Sequence, residues 1–579
     1  MFETYFQEEV AYLREHAREL ADAYPELAPL LGAGTADADV LRLLEGTAFL
    51  TGRVRQKLDD DIPEFSQSLA LLLYPHLTRP LPSASILELR PMASAMAEPH
   101  VVPAGTEFAS APVQGARCTF RSTAECVLAP IEIEGVRLTT HASGRQSVEV
   151  DLRSRTDKPL AEVLPAVLRL HLTGEAPTVS ALLFAILRQA ESVALVLGPT
   201  GAKELSLGPD AVRWAGFDEA EALLPQGHHV LPGYRLLEEY GILPAKFAFV
   251  DLPSLGRVRE LDPDARAMTV AIRLARPLPD GVAIDATNLR LHCVPIVNVF
   301  AANAEPIPLT RGRDRYVVRP AGLPVTHGEV YAILKVTAVA SGAGKQVVIP
   351  PLLDLGSPAR GESGGYMTHL APSVTREGEE TLLSIVPPAG LEVDKLAVQV
   401  LATNRAVAAT LHPGDVKVHT ASSPAVATFA NIAPLTPHLA PPAGRHLQWR
   451  ALAHTAMSLR TLVEPAVLRT VVGMYDLPAM VDQQAARARD LRADAIKDVR
   501  MGRILRVDRG SAQRGVSVDC DLDDDGFRGP GDLLLFAAIL ERIFSEHVST
   551  HAFTECTFHA LRSQTEVRWP PRPGNQTIL

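Results

Sequence analysis

Between residues 1 and about 80 the apolar side chains recur every three or four positions. Phe2, Phe6, Val10, Leu13, Ala17 and Leu20 share one stripe, which predicts an amphipathic helix closed by Pro25 and Pro29. After the Gly32-Ala33-Gly34 break, Asp39 is placed to accept the first free amides of a second helix, with Val40, Leu43, Leu44, Thr47, Leu50, Val54 and Leu58 turned inward. Gly46 and Gly52 weaken that helix without abolishing it. Asp59-Asp60-Asp61 and Pro63 open a third helix carrying Phe65, Leu69, Leu72 and Leu73, which Tyr74-Pro75 stops. Residues 1–82 therefore read as an N-terminal helical module.

From about 83 to 445 the period shortens to two. Ser83 to Leu89, Val148 to Leu152 and Leu168 to Leu172 alternate apolar and polar side chains between Pro and Gly turns, the pattern of half-buried strands. A helix is expected around Thr178 to Ala190, and loops rich in Gly and Pro near 341–365 and 433–444. Two β-rich domains of sandwich or barrel-like form are expected, over 83–260 and 261–445. The closing segment, 446–579, returns to helix over Ala451 to Tyr475 with a break at Pro465. Strands follow near Arg503 to Asp508 and Val516 to Leu522, then a helix from Asp532 to about His547. The expected class is thus α+β multidomain: a helical module, a β-rich middle and an α+β C-terminal domain.

The 579 residues allow several domains at ~150 residues each. The 46 prolines reinforce the reading of many turns and short strands. A net charge of −11 without a basic run speaks against nucleic acid as partner. The start Met1-Phe2-Glu3-Thr4-Tyr5 has no basic flank before an apolar stretch, so no secretion signal is read and a cytoplasmic location is expected. The longest apolar runs, Ala181 to Leu187 and Leu533 to Leu540, fall short of the ~20 residues that span a bilayer. Five separated cysteines (118, 126, 293, 520 and 556) without a CxxC indicate reduced, mostly buried thiols.

Candidate chemistry is thin. Gly361-Glu362-Ser363-Gly364-Gly365 matches the GxSxG of serine hydrolases but lacks the flanking strand and helix that force the nucleophile elbow. Asp521, Asp523, Asp525, Gly526 and Asp532 reproduce calcium-loop spacing, yet Asp stands in place of the closing Glu, and Asp532 also serves as a cap for the last helix. These leave a calcium-dependent binding module and a serine hydrolase as alternatives. His547, His551 and Cys556 lack the Glu of HExxH, and Ser341 to Gln346 lacks the leading Gly and closing hydroxyl of a phosphate loop. Arg487, Arg489, Arg492 and Lys497 alternate with Asp490, Asp494 and Asp498, as on a solvated or partner-facing helix. No catalytic, cofactor-binding or metal-binding residues are assigned.

Tyr5-Phe6-Gln7-Glu8-Glu9, Arg42-Leu43-Leu44-Glu45-Gly46, Lys57-Leu58-Asp59-Asp60-Asp61 and Leu73-Tyr74-Pro75-His76 resemble the start of the TssF family, also called ImpG or VasA. Its members are baseplate subunits of the bacterial type VI secretion system. The resemblance continues through Pro103-Ala104-Gly105-Thr106, Cys118 to Arg121, Leu223-Leu224-Pro225, Gly233 to Tyr240, Pro244 and Lys246-Phe247. It extends through Cys293 to Phe300, Thr403-Asn404-Arg405, Trp449-Arg450, Leu535-Phe536 and Trp569-Pro570-Pro571-Arg572. The chain departs from the family pattern at Gly241, Ala245, Ala402 and His551-Ala552.

The resemblance implies a mechanical, non-enzymatic role without cofactors. Two copies would combine with one TssG-like chain into a wedge similar to those of phage-tail baseplates. Wedges would surround a VgrG-type spike hub, and further contacts would run to TssK-like adaptors and TssE-like sheath initiators. The assembly would dock at the inner-membrane complex without membrane insertion by this chain. The N-terminal stripes are too few to bury themselves alone, which makes Phe6, Val10, Leu13, Leu43, Leu50 and Val54 candidate contacts with partner helices, or else the module's own core.

Overall fold

The computed structural model describes residues 2–24, 26, 38–92, 95–198, 203–208, 211–225, 230–310, 312–340, 346–352, 364–373, 376, 378–387, 393–440, 457–508 and 511–576. They fall into two units, residues 1–75 with 443–452 and residues 76–442 with 453–579.

The first unit is a pair of packed helices, α1 (Phe2–Ala23) and α2 (Ala38–Leu73). Asp39 sits inside the first turn of α2 rather than at its cap, where its charge still complements the positive helix end. The expected third helix is not separate, because α2 runs unbroken through Pro63. A single proline removes one hydrogen bond, and the long helix on either side outweighs the ~3 kcal/mol it costs. Pro25, Pro29 and the Gly32-Ala33-Gly34 break lie outside the described residues.

In the second unit a six-stranded antiparallel sheet has the order Val416–Val418, Glu107–Ser110, Thr119–Ser122, Cys293–Val297, Ala84–Pro91, Ala427–Asn431. The chain leaves this sheet twice and returns. On the first excursion a five-stranded and a four-stranded antiparallel sheet share one apolar core, with Val148, Val150, Leu195 and Val270 from one and Leu168, Leu170 and Val250 from the other. Helix α3 (Ala176–Arg188) adds Leu182 and Ile186 to that core. Helix α4 (Pro232–Ile242) follows, almost wholly buried. On the second excursion a five-stranded and a three-stranded sheet enclose Val336, Leu396, Val398, Tyr316 and Leu383. Period-two alternation buries one face of each sheet, which gives the sandwich-like pairing.

The C-terminal segment brings α5 (Pro465–Tyr475), α6 (Gln483–Ala495) and α7 (Pro530–Glu546) together with the strands Ile496–Asp508, Ser511–Leu522, Phe553–Ala560 and Thr565–Arg568. Pro465 occupies the first position of α5, where its missing amide costs nothing. Ser511–Leu522 and Phe553–Ala560 run parallel, and α7 is the crossover between them. Asp532 is not the cap of α7. Gly529 is, and Asp532 stands in the first turn, where its backbone amide donates to Ser180 Oγ at 3.1 Å.

Candidate functional site

The hairpin is the first candidate. Helix α1 turns Val10 fully inward and Phe6 and Leu13 half inward, toward the side of α2 that carries Leu44, Ala48 and Gly52. Gly52 sets the approach: a Cβ there would stand 3.4 Å from the Phe6 backbone nitrogen, so a small residue lets the two backbones come close. Arg14 to Glu45 at 2.9 Å and Arg55 to Glu9 at 3.0 Å tie the flanks; both arginines are half exposed, which keeps the pairs weak.

Leu43, Leu50 and Val54 are not turned inward as the stripe suggested; they are 73%, 66% and 59% exposed. At 3.6 residues per turn these three lie on one line, nearly opposite Ala48 and Gly52. One neighbouring helix covers one side of α2, and the small-residue side wins because it permits the closer contact. The result is an apolar line facing solvent.

The second candidate is the junction between α4 and α7, built from residues of the Gly233 to Tyr240 motif. The Gly233 amide donates to Glu546 Oε1 at 2.6 Å, and a Cβ on Gly233 would lie 2.8 Å from Ile543. Tyr234 Oη and His547 Nε2 are 2.6 Å apart. Glu239 accepts from Arg235 at 3.0 Å, from the Leu223 amide at 2.7 Å and from Lys246, and all three charged side chains are buried. Lys246 Nζ also donates to the Gly216 carbonyl at 2.9 Å, and Arg235 Nη2 to that of Phe217 at 2.8 Å.

Burial lowers the Lys246 pKa, with Glu239 opposing, and raises the Glu546 carboxyl to about 8. Such clusters fix an arrangement, since removing one member strands the others. Here the charges hold segments together, and Arg235 also lines a cavity of about 370 Å3 with Arg121 and Glu219. Asn298 and Asn404 do likewise elsewhere: the Asn404 amide donates to Asn298 Oδ1 at 2.7 Å, and Asn298 Nδ2 to Asn404 Oδ1 at 2.8 Å and to the Thr119 carbonyl at 2.8 Å.

The calcium-like carboxylates do not converge. Asp521 binds Arg500 at 2.7 Å, Asp523 and Asp525 bind Arg562 at 3.0 and 2.6 Å, and Asp532 binds Arg528 at 3.0 Å. Gly526 is accounted for by packing, because a Cβ there would meet Ala495 Cβ at 2.4 Å. His547 is engaged by Tyr234, His551 is exposed and Cys556 is buried in a strand, and among the described residues no group of three or more His, Cys, Asp or Glu could hold a metal. All five cysteines are free and buried, and burial pushes the Cys118 thiol up to about 11 and that of Cys126 to about 12. Ser363, the phosphate-loop-like segment 341–345 and Trp449-Arg450 lie outside the described residues.

Of the departures from the family pattern, Ala402 is buried in a strand opposite Phe300 and Val330, Gly241 leaves room beside Asp476, and Ala245 lines a cavity of about 220 Å3 between α3 and α7. Sequence reasoning missed Ser180. Its hydroxyl caps α7 by accepting from the Gly531 amide at 2.9 Å across 351 positions, and no local pattern marks such a partner.

A family model described as "Type VI secretion system, TssF" matches residues 1–576. The type VI secretion system component TssF1 of Pseudomonas aeruginosa is 27% identical over 626 aligned positions, covering 99% of each chain. A chain in the cryo-electron microscopy structure of the type VI secretion system TssK-TssF-TssG baseplate subcomplex superposes with a TM-score of 0.76 at 28% identity, covering 93% of this chain and 99% of that one. A chain of the type VI secretion system baseplate complex does so with a TM-score of 0.65 at 26% identity, covering all of both.

Proposed function

Because the chain belongs to the type VI secretion system TssF family, we propose that it is a structural subunit of that system's baseplate, binding TssG-like and TssK-like proteins as its relative in the solved subcomplex does. Two copies join one TssG-like chain in a wedge, similar to wedges of phage-tail baseplates, and wedges surround a VgrG-type hub. TssE-like initiators connect the baseplate to the contractile sheath. The role is mechanical and carries no catalysis, and the protein works on the cytoplasmic side of the inner-membrane complex. No described helix is long and apolar enough to cross a membrane.

The observation that carries this reading within the chain is the uncovered line Leu43, Leu50 and Val54. Three large apolar side chains in register along a helix are the signature of a helix that docks in a partner's groove or bundle. Phe6, Val10 and Leu13 serve the same contact indirectly, by holding α1 against the far side of α2. The test is co-expression with the TssG-like candidate and mass determination of the purified complex. Two copies of this chain to one of the partner is the expected result, and a folded monomer with every such candidate would defeat the reading.

A further inference from the structure

The strands Ile496–Asp508 and Ser511–Leu522 outrun the sheet they belong to. Ser511–Leu522 is paired with Phe553–Ala560 only from Gly515 onward, while its ladder with Ile496–Asp508 continues to Asp508 and Ser511. The outer part is therefore a free two-stranded ribbon. In its register Met501 stands opposite Val518, Arg503 opposite Val516, Leu505 opposite Arg514 and Val507 opposite Ala512, so these side chains share one face. At its inner end that face buries Val499, Val518 and Cys520, and there the strand contacts α5 and α6.

Farther out the same face stays apolar but loses its cover. Met501 is 44% exposed, Leu505 66% and Val507 69%. Arg503 and Arg514 border this stripe and Arg506 lies on the opposite face. The described side chains of 501–507 and 512–514 include no carboxylate. Arg500, by contrast, is held by Asp498 and Asp521 at the ribbon's root. An uncompensated basic and apolar stripe thus projects from a chain whose net charge is −11.

Charged residues on an exposed edge discourage strand-to-strand aggregation, which would account for the arginines but not for the apolar side chains between them. A second copy of the same face would set Arg503 and Arg514 against their own kind. We propose that the face carrying Met501, Arg503, Leu505, Val507, Ala512 and Arg514 docks an amphipathic helix with acidic flanks from a partner protein. That helix would extend over Met501, Leu505 and Val507 the helical layer that α5 and α6 provide at the inner end. The exposed stripe from Met501 to Val507 spans ~24 Å at ~3.4 Å per residue, which about 16 helical residues would cover.

This inference rests on the baseplate reading, so its test separates the two. The full chain is co-expressed with the TssG-like and TssK-like candidates as wild type, as Arg503→Glu with Arg514→Glu, and as Leu505→Asp with Val507→Asp. Composition is read by mass and amide exchange is followed over the ribbon. The expected result is slower exchange there in the wild-type complex than in the free chain, and loss of that protection, with about tenfold weaker association, in both variants. The substitutions fall on exposed side chains, so each free variant melts as the wild type does. A complete complex that tolerates both variants overturns the ribbon proposal alone, as does a labelled DNA duplex bound by the wild type and released by the arginine variant. If the wild type forms no complex, the baseplate reading fails and the ribbon proposal with it.

Discussion

Tyr240 donates its hydroxyl to Asp532 Oδ1 at 2.8 Å, joining helices that lie 292 positions apart in sequence. Asp532 also accepts from Arg528 Nε and Nη2 at 3.0 Å each. Tyr240→Phe removes one bond and leaves Asp532 satisfied, so a loss of about 1 kcal/mol is expected. Asp532→Ala strands the buried phenol and removes the anchor of the half-exposed Arg528, and about 2 kcal/mol is expected. Denaturant titration of the purified chain distinguishes the two, and equal effects would show that the pair does not share one network.

Glu546 supplies a pH dependence. Its carboxyl is raised to about 8 by burial, against the Gly233 amide, which favours the charged form. A carboxyl raised on folding gives stability that is whole below its ordinary value of 4.5 and is lost as pH climbs through about 8. Glu546→Gln should therefore gain on the wild type steadily across that interval and melt higher at its upper end. His171 and His292 act in the opposite sense: burial depresses both to about 4, so their contribution is whole above 6.5 and lost on acidification toward 4. A wild-type minus variant difference that is flat with pH would remove Glu546 as the titrating group.

Leu50→Asp places a charge on the uncovered line of α2. Because the side chain is exposed, the free chain should change in stability by no more than about 0.5 kcal/mol. Association with the TssG-like partner should fall by at least about tenfold, since a desolvated carboxylate has no counterpart in an apolar groove. Val10→Asp, on the buried side of the hairpin, should instead unfold the module. Circular dichroism beside the association measurement separates these outcomes, and unimpaired binding by Leu50→Asp would mean that α2 meets its partner elsewhere.

Gly531 lies where α7 crosses α3, and a Cβ there would stand 2.2 Å from the Ser180 carbonyl oxygen. That neighbour is backbone and yields only if a helix moves, so Gly531→Ala should cost about 2–3 kcal/mol. Ser180→Ala removes the hydroxyl that receives the Gly531 and Asp532 amides, and about 1 kcal/mol is expected as for a lost helix cap. Thermal melting of both variants tests the crossing.

The sequence made the elements legible because their signals are local. The helix over Ala176–Arg188, the start of α5 at Pro465 and the strand over Gln146–Ser154 follow from periodicity and from proline placement. Strand partners were hidden, since the ladder of Ala84–Pro91 with Cys293–Val297 depends on shape hundreds of residues away. The stripe of α2 showed which residues are apolar, but which side of it α1 would take was decided by Ala48 and Gly52, whose smallness reads from sequence as weakness. The Gly233 to Tyr240 motif carried the family resemblance, while its physical content, a buried junction to Glu546 and Asp532, needed coordinates.

The interrupted six-stranded sheet also sets a schedule for synthesis. The strand Ala84–Pro91 finds its neighbours only in Cys293–Val297 and Ala427–Asn431. At ~5–20 residues per second a ribosome takes tens of seconds to deliver the later of them. Both edges of the strand are open until Cys293–Val297 is made and one edge stays open until Ala427–Asn431 follows, so the nascent chain depends on chaperones or on early closure of the first excursion to stay out of aggregates. A frameshift that stops translation before residue 427 would release a chain whose central sheet cannot be completed, and such fragments should appear in inclusion bodies rather than as truncated partners competing for the baseplate.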